Sequence, residues 1–271
     1  MRLAVSNVAW DAGEDDGIVT VLKRYGVTGV EVAPTKVWNH PAEMPETDVA
    51  AYRRWWEERG IEVVALQSLL FGTQGLELFN GPRVRARMFE HLTRIIRLAG
   101  WLGARALVFG SPTSRALHGM DRTQAVEIAV EFFGRLADEA HRYGTSVCLE
   151  ANPAIYGSEF AQTTAEAIEV VRRVGRPGFA LQLDTGSLAL TGETDDRTIE
   201  RAFEFIGHVH VSEPHLAPVG AATVDHQPIA AALKRLGYGG WVSLEMRSRA
   251  RPSNAETLDA ALGHVAGLYG D

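Results

Sequence analysis

The chain has 271 residues, 46% of them hydrophobic and 23% charged, with a formal net charge of −7 and a single cysteine. This is ordinary globular composition with ample material for a core, and it excludes an intrinsically disordered chain. The acidic balance, without any block of Lys or Arg, speaks against a groove for nucleic acid, and Cys148 alone can form neither an intramolecular disulfide nor a thiolate zinc cluster.

In chain order, short apolar runs alternate with longer amphipathic stretches. Strands are predicted at Arg2–Ser6, Gly29–Ala33, Glu62–Gln67, Ala106–Phe109, Ser146–Glu150, Phe179–Asp184, Ile206–Val211 and Trp241–Glu245. Helical periodicity falls near 14–25, 47–59, 82–102, 121–143, 163–174, 197–204, 226–236 and 255–268. Turns such as Tyr25-Gly26, Arg59-Gly60, Leu102-Gly103 and Tyr143-Gly144 close a helix and feed the next strand. Thr163-Thr164-Ala165-Glu166 and Ser253-Asn254-Ala255-Glu256 read as helix N-termini, and Trp55-Trp56 places aromatics on a helix face expected to be exposed.

Eight strands alternating with eight helices make a parallel α/β arrangement, since each crossover helix returns the chain to the same end of the sheet. No G-x-G-x-x-G follows the first strand and no GKS or GKT loop occurs, so an open nucleotide-binding sheet loses its main support. The count of eight, in a chain near the length of about 250 residues usual for barrels, predicts one (β/α)8 TIM barrel over 1–271 without a second domain. No apolar run approaches the roughly 18 residues that cross a bilayer, and MRLAVSNVAW lacks a secretory pattern, so a cytoplasmic protein off the membrane is expected.

Barrel chemistry sits at the C-terminal strand ends, where the βα loops converge. The last four predicted strands deliver Glu150, Asp184, His210 and Glu245 there, each about one βα repeat beyond the one before. Each alone has an innocent reading: Asp184 can cap the following helix, Glu245 can pair with Arg247 or Arg249, and His210 can be a core histidine. Together they read differently. Three carboxylates ending apolar strands call for a cation, and a set of three oxygen ligands and one imidazole suits one divalent ion of Mn²⁺, Mg²⁺, Co²⁺ or Zn²⁺. Asn7, Trp10, Glu31, Gln67, Ser111 and Ser187 are weaker candidates for the pocket lining; His215 is a candidate contact for an anionic group, and alternation places His208 in the barrel interior with His210. Asp225-His226 reads as a helix start.

The runs LEANP at 149–153, LQLDTG at 181–186, HVHVSEP at 208–214 and VSLEM at 242–246, with LQSLLFG at 66–72 and VFGSP at 108–112, resemble the xylose isomerase-like barrels. Within them the chain is similar to the sugar phosphate isomerase/epimerase group, alongside ketose 3-epimerases and inosose-type isomerases. The resemblance implies metal ligation by Glu150, Asp184, His210 and Glu245, with Glu150 and Glu245 also the acid/base pair. It implies a carbohydrate substrate whose proton beside a carbonyl is moved through a metal-stabilised enediolate. Gln67, Asn7, Ser187, His208 and His215 are then the expected substrate contacts, and family habit gives a homodimer.

The chain departs from the ketose 3-epimerase pattern in three places. Ser187 stands where a His usually follows the strand-six Asp. Glu213, Pro214 and His215 stand where an Arg usually follows the strand-seven His. A second carboxylate soon after Glu150 is missing, with Tyr156 and Glu159 nearest. All three groups hold sugar hydroxyls in those enzymes. A dehydratase or lyase would share the first proton abstraction. An endonuclease IV-like nuclease would need further His ligands, one of them at position 187. A non-catalytic sugar-binding barrel would predict loss of a ligand, and all four are present.

Overall fold

Each of the eight apolar runs forms a strand: β1 Arg2–Ser6, β2 Gly29–Val32, β3 Glu62–Leu66, β4 Ala106–Phe109, β5 Ser146–Glu150, β6 Phe179–Asp184, β7 Ile206–Ser212 and β8 Trp241–Glu245. In this computed structural model, which describes residues 1–220, 223–249 and 251–270, all eight pair in parallel in sequence order, and β1 closes on β8. The helices are α1 Asp15–Arg24, α2 Glu46–Glu57, α3 Gly81–Leu102, α4 Arg122–Arg142, α5 Thr164–Val174, α6 Thr185–Thr191, α7 Asp196–Ala202, α8 His226–Arg235 and α9 Asn254–Tyr269. The chain is therefore the closed (β/α)8 barrel that its pattern predicts. No helix among the described residues is long and apolar enough to cross a membrane.

Two details differ from the pattern. The crossover after β6 carries an additional helix, α6, because the Asp184 carboxylate accepts from the Ser187 N–H and nucleates a turn directly at the strand end. Trp56 faces inward rather than outward. It is fully buried, edge-on to Trp10, Tyr52 and Trp55. The two helix starts read from sequence do form caps: Thr163 accepts from the Glu166 N–H, and Ser253 with Glu256 makes a reciprocal capping box.

Strand alternation sorts the side chains into two cores. Val147 and Leu149 of β5 join the continuous apolar layer between barrel and helices, whereas Cys148 belongs to a separate small cluster with Ala4, Val64, Ala65, Ala106 and Trp241. That inner cluster fills the lower barrel, and space there is tight. A Cβ on Gly29 would lie 2.7 Å from the Trp241 ring and 2.8 Å from the Ala4 methyl. Above it the interior turns polar, with Glu31, Gln182, His208 and Ser243 all buried. Register shifts between Val30 and Glu31 in β2 and between Leu181 and Gln182 in β6 fall beside this layer, where a bulge re-aims the side chains that follow.

Candidate active site

The same alternation that buries Cys148 brings Glu150 to the upper barrel interior, and Asp184, His210 and Glu245 arrive there on the next three strands. His210 Nδ1 lies 3.2 Å from Glu245 Oε2, 3.7 Å from Glu150 Oε1 and 4.0 Å from Asp184 Oδ2. Ligand atoms of Glu150, Asp184 and His210 all fall within 4.8 Å of one another. All four side chains open into a cavity of about 460 Å³ at the C-terminal mouth of the barrel.

Asp184, Glu150 and His210 are each held by partners outside the cluster. Asp184 accepts from the Ser187 N–H at 2.7 Å through Oδ1 and from the Ser212 hydroxyl at 2.5 Å through Oδ2. Helix capping and a place in the cluster are thus compatible, since both use one carboxylate. Glu150 Oε2 accepts from Asn152 Nδ2 at 2.6 Å, and Arg115, wholly buried, donates to the Glu150 carbonyl at 2.8 Å and to the Asn152 side-chain oxygen. Gly110 lets this carboxylate sit where it does, because a Cβ there would stand 2.5 Å from Oε2. His210 turns Nε2 toward Glu31, 3.0 Å from each oxygen, which leaves Nδ1 aimed at the other three carboxylates. Glu31 also lies 3.5 Å from His208 Nε2, which meets the Ser243 hydroxyl at 2.9 Å. Glu31, His208 and His210 form a second close group, but there the carboxylate is already matched by two imidazoles. It acts as support beneath the first group.

The electrostatics follow from this crowding. Burial and then the charge of Asp184 push the Glu150 carboxyl up to about 8, with Glu245 adding to the rise and His210 and the Asn152 hydrogen bond opposing it. Asp184 is raised by burial and by Glu245, against His210 and its two hydrogen bonds. His210 is desolvated, yet the charges of Glu31 and Glu245 outweigh that and carry it well above the ordinary imidazole range. Glu31 shows the reverse balance. Its burial favours the neutral acid, but His210 and His208 hold it far below the usual carboxylate range. Three converging carboxylates with one imidazole therefore carry excess negative charge in a buried site. An oxygen-rich donor set with one nitrogen fits a divalent cation, and Glu150, Asp184, His210 and Glu245 are the residues that could hold it.

Of the expected substrate contacts, Gln67, Ser187 and His215 line the cavity. Asn7 and His208 are not brought to it. The Asn7 side-chain oxygen accepts from the Ala33 N–H at 2.8 Å, tying the end of β1 to the end of β2, and His208 lies one layer lower against Glu31 and Ser243. Trp10 is also placed elsewhere, buried with its indole N–H on Asp15, whereas Ser111 and Tyr156 reach the cavity. Asp225 caps α8, as its sequence suggests. The sequence reading missed Arg115, Asn152 and Ser212. Period-two alternation from Glu150 points to Asn152, and from His210 to Ser212. Arg115 lies in a loop and has no such signal.

The chain is 30% identical over 138 residues to a ketose 3-epimerase of Arthrobacter globiformis, and 31% identical over 111 residues to an L-ribulose 3-epimerase of Methylomonas. These matches cover 51% and 41% of this chain and only 47% and 38% of those proteins, so they span about half or less of the curated relatives. Among solved structures, a D-psicose 3-epimerase crystallised with D-fructose superposes with a TM-score of 0.83 at 20% identity, each chain covered completely. The IolI protein with a bound zinc atom superposes with a TM-score of 0.75 at 18% identity, over 99% of this chain and 98% of that one. At these identities the structures establish a shared fold. Residues 19–266 match the family model of the xylose isomerase-like TIM barrels, and the chain belongs to that family.

Proposed function

We propose that this protein isomerises or epimerises a polyhydroxylated carbonyl compound by moving a proton at the carbon beside the carbonyl. The observation that carries the reading is the pair of carboxyl groups, Glu150 and Glu245, placed with His210 Nδ1 in one cavity, 3.7 and 3.2 Å from it respectively. The names of the half-matching relatives, all sugar 3-epimerases, point the same way.

Glu150 takes the proton, the electron pair of the broken C–H bond moves toward the carbonyl oxygen, and Glu245 returns a proton to the carbon. Return to the opposite face inverts that centre; return to the former carbonyl carbon, with the neighbouring hydroxyl giving its proton to the former carbonyl oxygen, isomerises the sugar. Without a cation, burial and the charge of Asp184 raise the Glu150 carboxyl to about 8; a divalent cation would favour its ionised form and leave a carboxylate able to take the proton. A divalent cation on Glu150, Asp184, His210 and Glu245 would supply positive charge where the carbonyl oxygen becomes negative. Asp184, fixed by Ser187 and Ser212, and His210, fixed by Glu31, keep the two glutamates in place. Gln67, Ser187 and His215 are the side chains available to substrate hydroxyls.

Deuterium incorporation from D₂O into a panel of ketoses, inososes and sugar phosphates, with added Mn²⁺, tests this. Exchange at the carbon next to the carbonyl is expected for at least one member. Elimination products without exchange into recovered substrate would favour a lyase, and no reaction with any member would leave a binding barrel.

A further inference from the structure

Arg115, in the loop after β4, is a fully buried cation that forms no ion pair among the described residues. Burial lowers it to about 10, with the Glu150 charge opposing the fall, so the guanidinium stays charged at neutral pH. One of its amino groups donates to the Glu150 carbonyl at 2.8 Å and the other to the Asn152 side-chain oxygen, while Nε has no partner. Enclosing a charge that is neither paired nor saturated is costly to folding, and departures of this kind concentrate where a group serves a site.

The two contacts fix the direction of an amide. Asn152 has one accepting end and one donating end, whereas a guanidinium only donates. With Arg115 on Oδ1, Nδ2 must turn the other way, and there it donates to Glu150 Oε2 at 2.6 Å. The reversed amide would set N–H groups against the guanidinium and an oxygen against the carboxylate. Asn152 is itself anchored, its backbone N–H donating to the Ala161 carbonyl at 3.0 Å. Oε2 also lies against Gly110, where a Cβ would stand 2.5 Å away. Oε1 is left toward the cluster, 3.7 Å from His210 Nδ1. The two oxygens of Glu150 therefore have different neighbours: Oε1 faces the other ligand candidates, and Oε2 faces Gly110 and Asn152, which line the cavity. Glu245 has no such clamp. Among the described residues its carboxylate meets only the His210 ring, 3.2 Å from Nδ1.

Resting on the proton-transfer reading above, we infer that Arg115 and Asn152 are positioning residues that divide the work of the Glu150 carboxylate, holding Oε2 for the proton and leaving Oε1 to the cation. Oε2 keeps a second lone pair for the proton while Asn152 occupies the first. Arg115 acts through Asn152 and the Glu150 carbonyl, and neither residue exchanges a proton. Since Glu245 lies outside the clamp, the positioning serves one of the two proton-transfer groups. Glu150 takes the proton in one direction and Glu245 takes it in the other. Loss of the clamp therefore slows the initial solvent exchange of one of the two interconverting compounds and spares the other.

The test takes the panel member that exchanges fastest with the full-length, Mn²⁺-loaded protein in D₂O, and uses it and its product as separate starting compounds. Asn152→Ala removes the donor on Oε2; Asn152→Asp keeps the oxygen that Arg115 needs and sets an acceptor against Oε2. In both variants initial exchange from one compound should fall about 10²-fold, as a misplaced catalytic group produces, while exchange from the other stays near wild type. Affinity for Mn²⁺, read by calorimetry, should not weaken, because Asn152 does not touch Oε1. Arg115→Lys keeps the charge but cannot make both bonds, and should lose about tenfold in the same one-sided way. An equal fall from both compounds would overturn the inference. So would a 10- to 100-fold loss of Mn²⁺ affinity in step with exchange, which is what mere support of the ligand set gives. Wild-type exchange in the Asn152 variants removes the positioning alone, whereas absence of exchange in the wild-type protein removes the proton-transfer reading itself.

Discussion

The two halves of the barrel divide the work unequally. Strands β5 to β8 each end in one of the clustered side chains, Glu150, Asp184, His210 and Glu245. Strands β1 to β4 and their loops send no side chain into that cluster and instead supply what holds it: Glu31 behind His210, Arg115 behind Glu150 and Asn152, and Gly110 as the space Glu150 occupies. The β5–β8 half gathers three carboxylates around one imidazole in a buried place, which is unfavourable for folding. The β1–β4 half supplies the Arg115 guanidinium and the hydrogen bonds to the Glu150 carbonyl, Asn152 and His210 that make the placement tolerable. A reactive site in this fold is thus a strained arc braced from across the barrel.

Removing a member of the arc should have the largest effect on activity and the opposite effect on stability. Glu150→Gln is expected to lower deuterium exchange by at least roughly 10³-fold, as loss of a general base does. In metal-stripped protein the same change should raise the melting temperature, since it removes one of the carboxylates whose mutual repulsion and burial push Glu150 to about 8 and raise Asp184. A variant that is both inactive and less stable without metal would show that the arc is not strained.

Removing a brace should do the reverse. Arg115→Leu leaves the Glu150 carbonyl and the Asn152 side-chain oxygen unsatisfied in the interior, and about 3 kcal/mol of stability should be lost in a denaturant titration. An unchanged midpoint would mean that water or a neighbour replaces the guanidinium at no cost. Glu31→Gln is subtler. It keeps a hydrogen-bond acceptor for His210 Nε2 but removes the charge that polarises the ring, so affinity for Mn²⁺ should fall about 10- to 100-fold by calorimetry. Wild-type affinity in this variant would confine metal binding to the β5–β8 half.

The same division explains what could be read in advance. The arc is legible because each member ends an apolar strand, and the barrel itself because eight strand–helix repeats need no long-range information. The braces act across the barrel, Glu31 on His210 at a separation of 179 residues, and nothing local in GVEV marks its Glu as a partner for an imidazole near the far end of the chain. Asn7 misled for a related reason. Its place after β1 suits a ligand contact, but the Ala33 N–H at the end of β2 lacked a partner until the two strands were set side by side. Asp184 is readable as a cap, but the seven residues of α6, TGSLALT, are too few to show a helical period.

The smallest effect tests whether acid sensitivity also belongs to the β5–β8 half. His226 opens α8 with 2% of its surface exposed; its Nδ1 meets the Tyr269 hydroxyl at 3.2 Å, and its Nε2 faces Glu213 Oε1 at 3.7 Å without a hydrogen bond. Burial, with the nearby His264 ring adding to it and Asp225 opposing, lowers His226 to about 4. The unfolded chain then binds this proton first, so the contribution of His226 to stability is complete above about 6.5 and is lost as pH falls through 4. Glu213, raised by burial, has the opposite slope and offsets part of it. At pH 5 about 2 kcal/mol of the His226 contribution has been lost, or roughly 4 °C in a domain of this size. His226→Gln should therefore narrow the gap between melting temperatures at pH 7 and pH 5 by about that much. If the gap is unchanged, the acid sensitivity arises elsewhere, and not at Glu150 or Asp184, whose raised carboxyls take up protons on folding and so favour the folded chain at low pH.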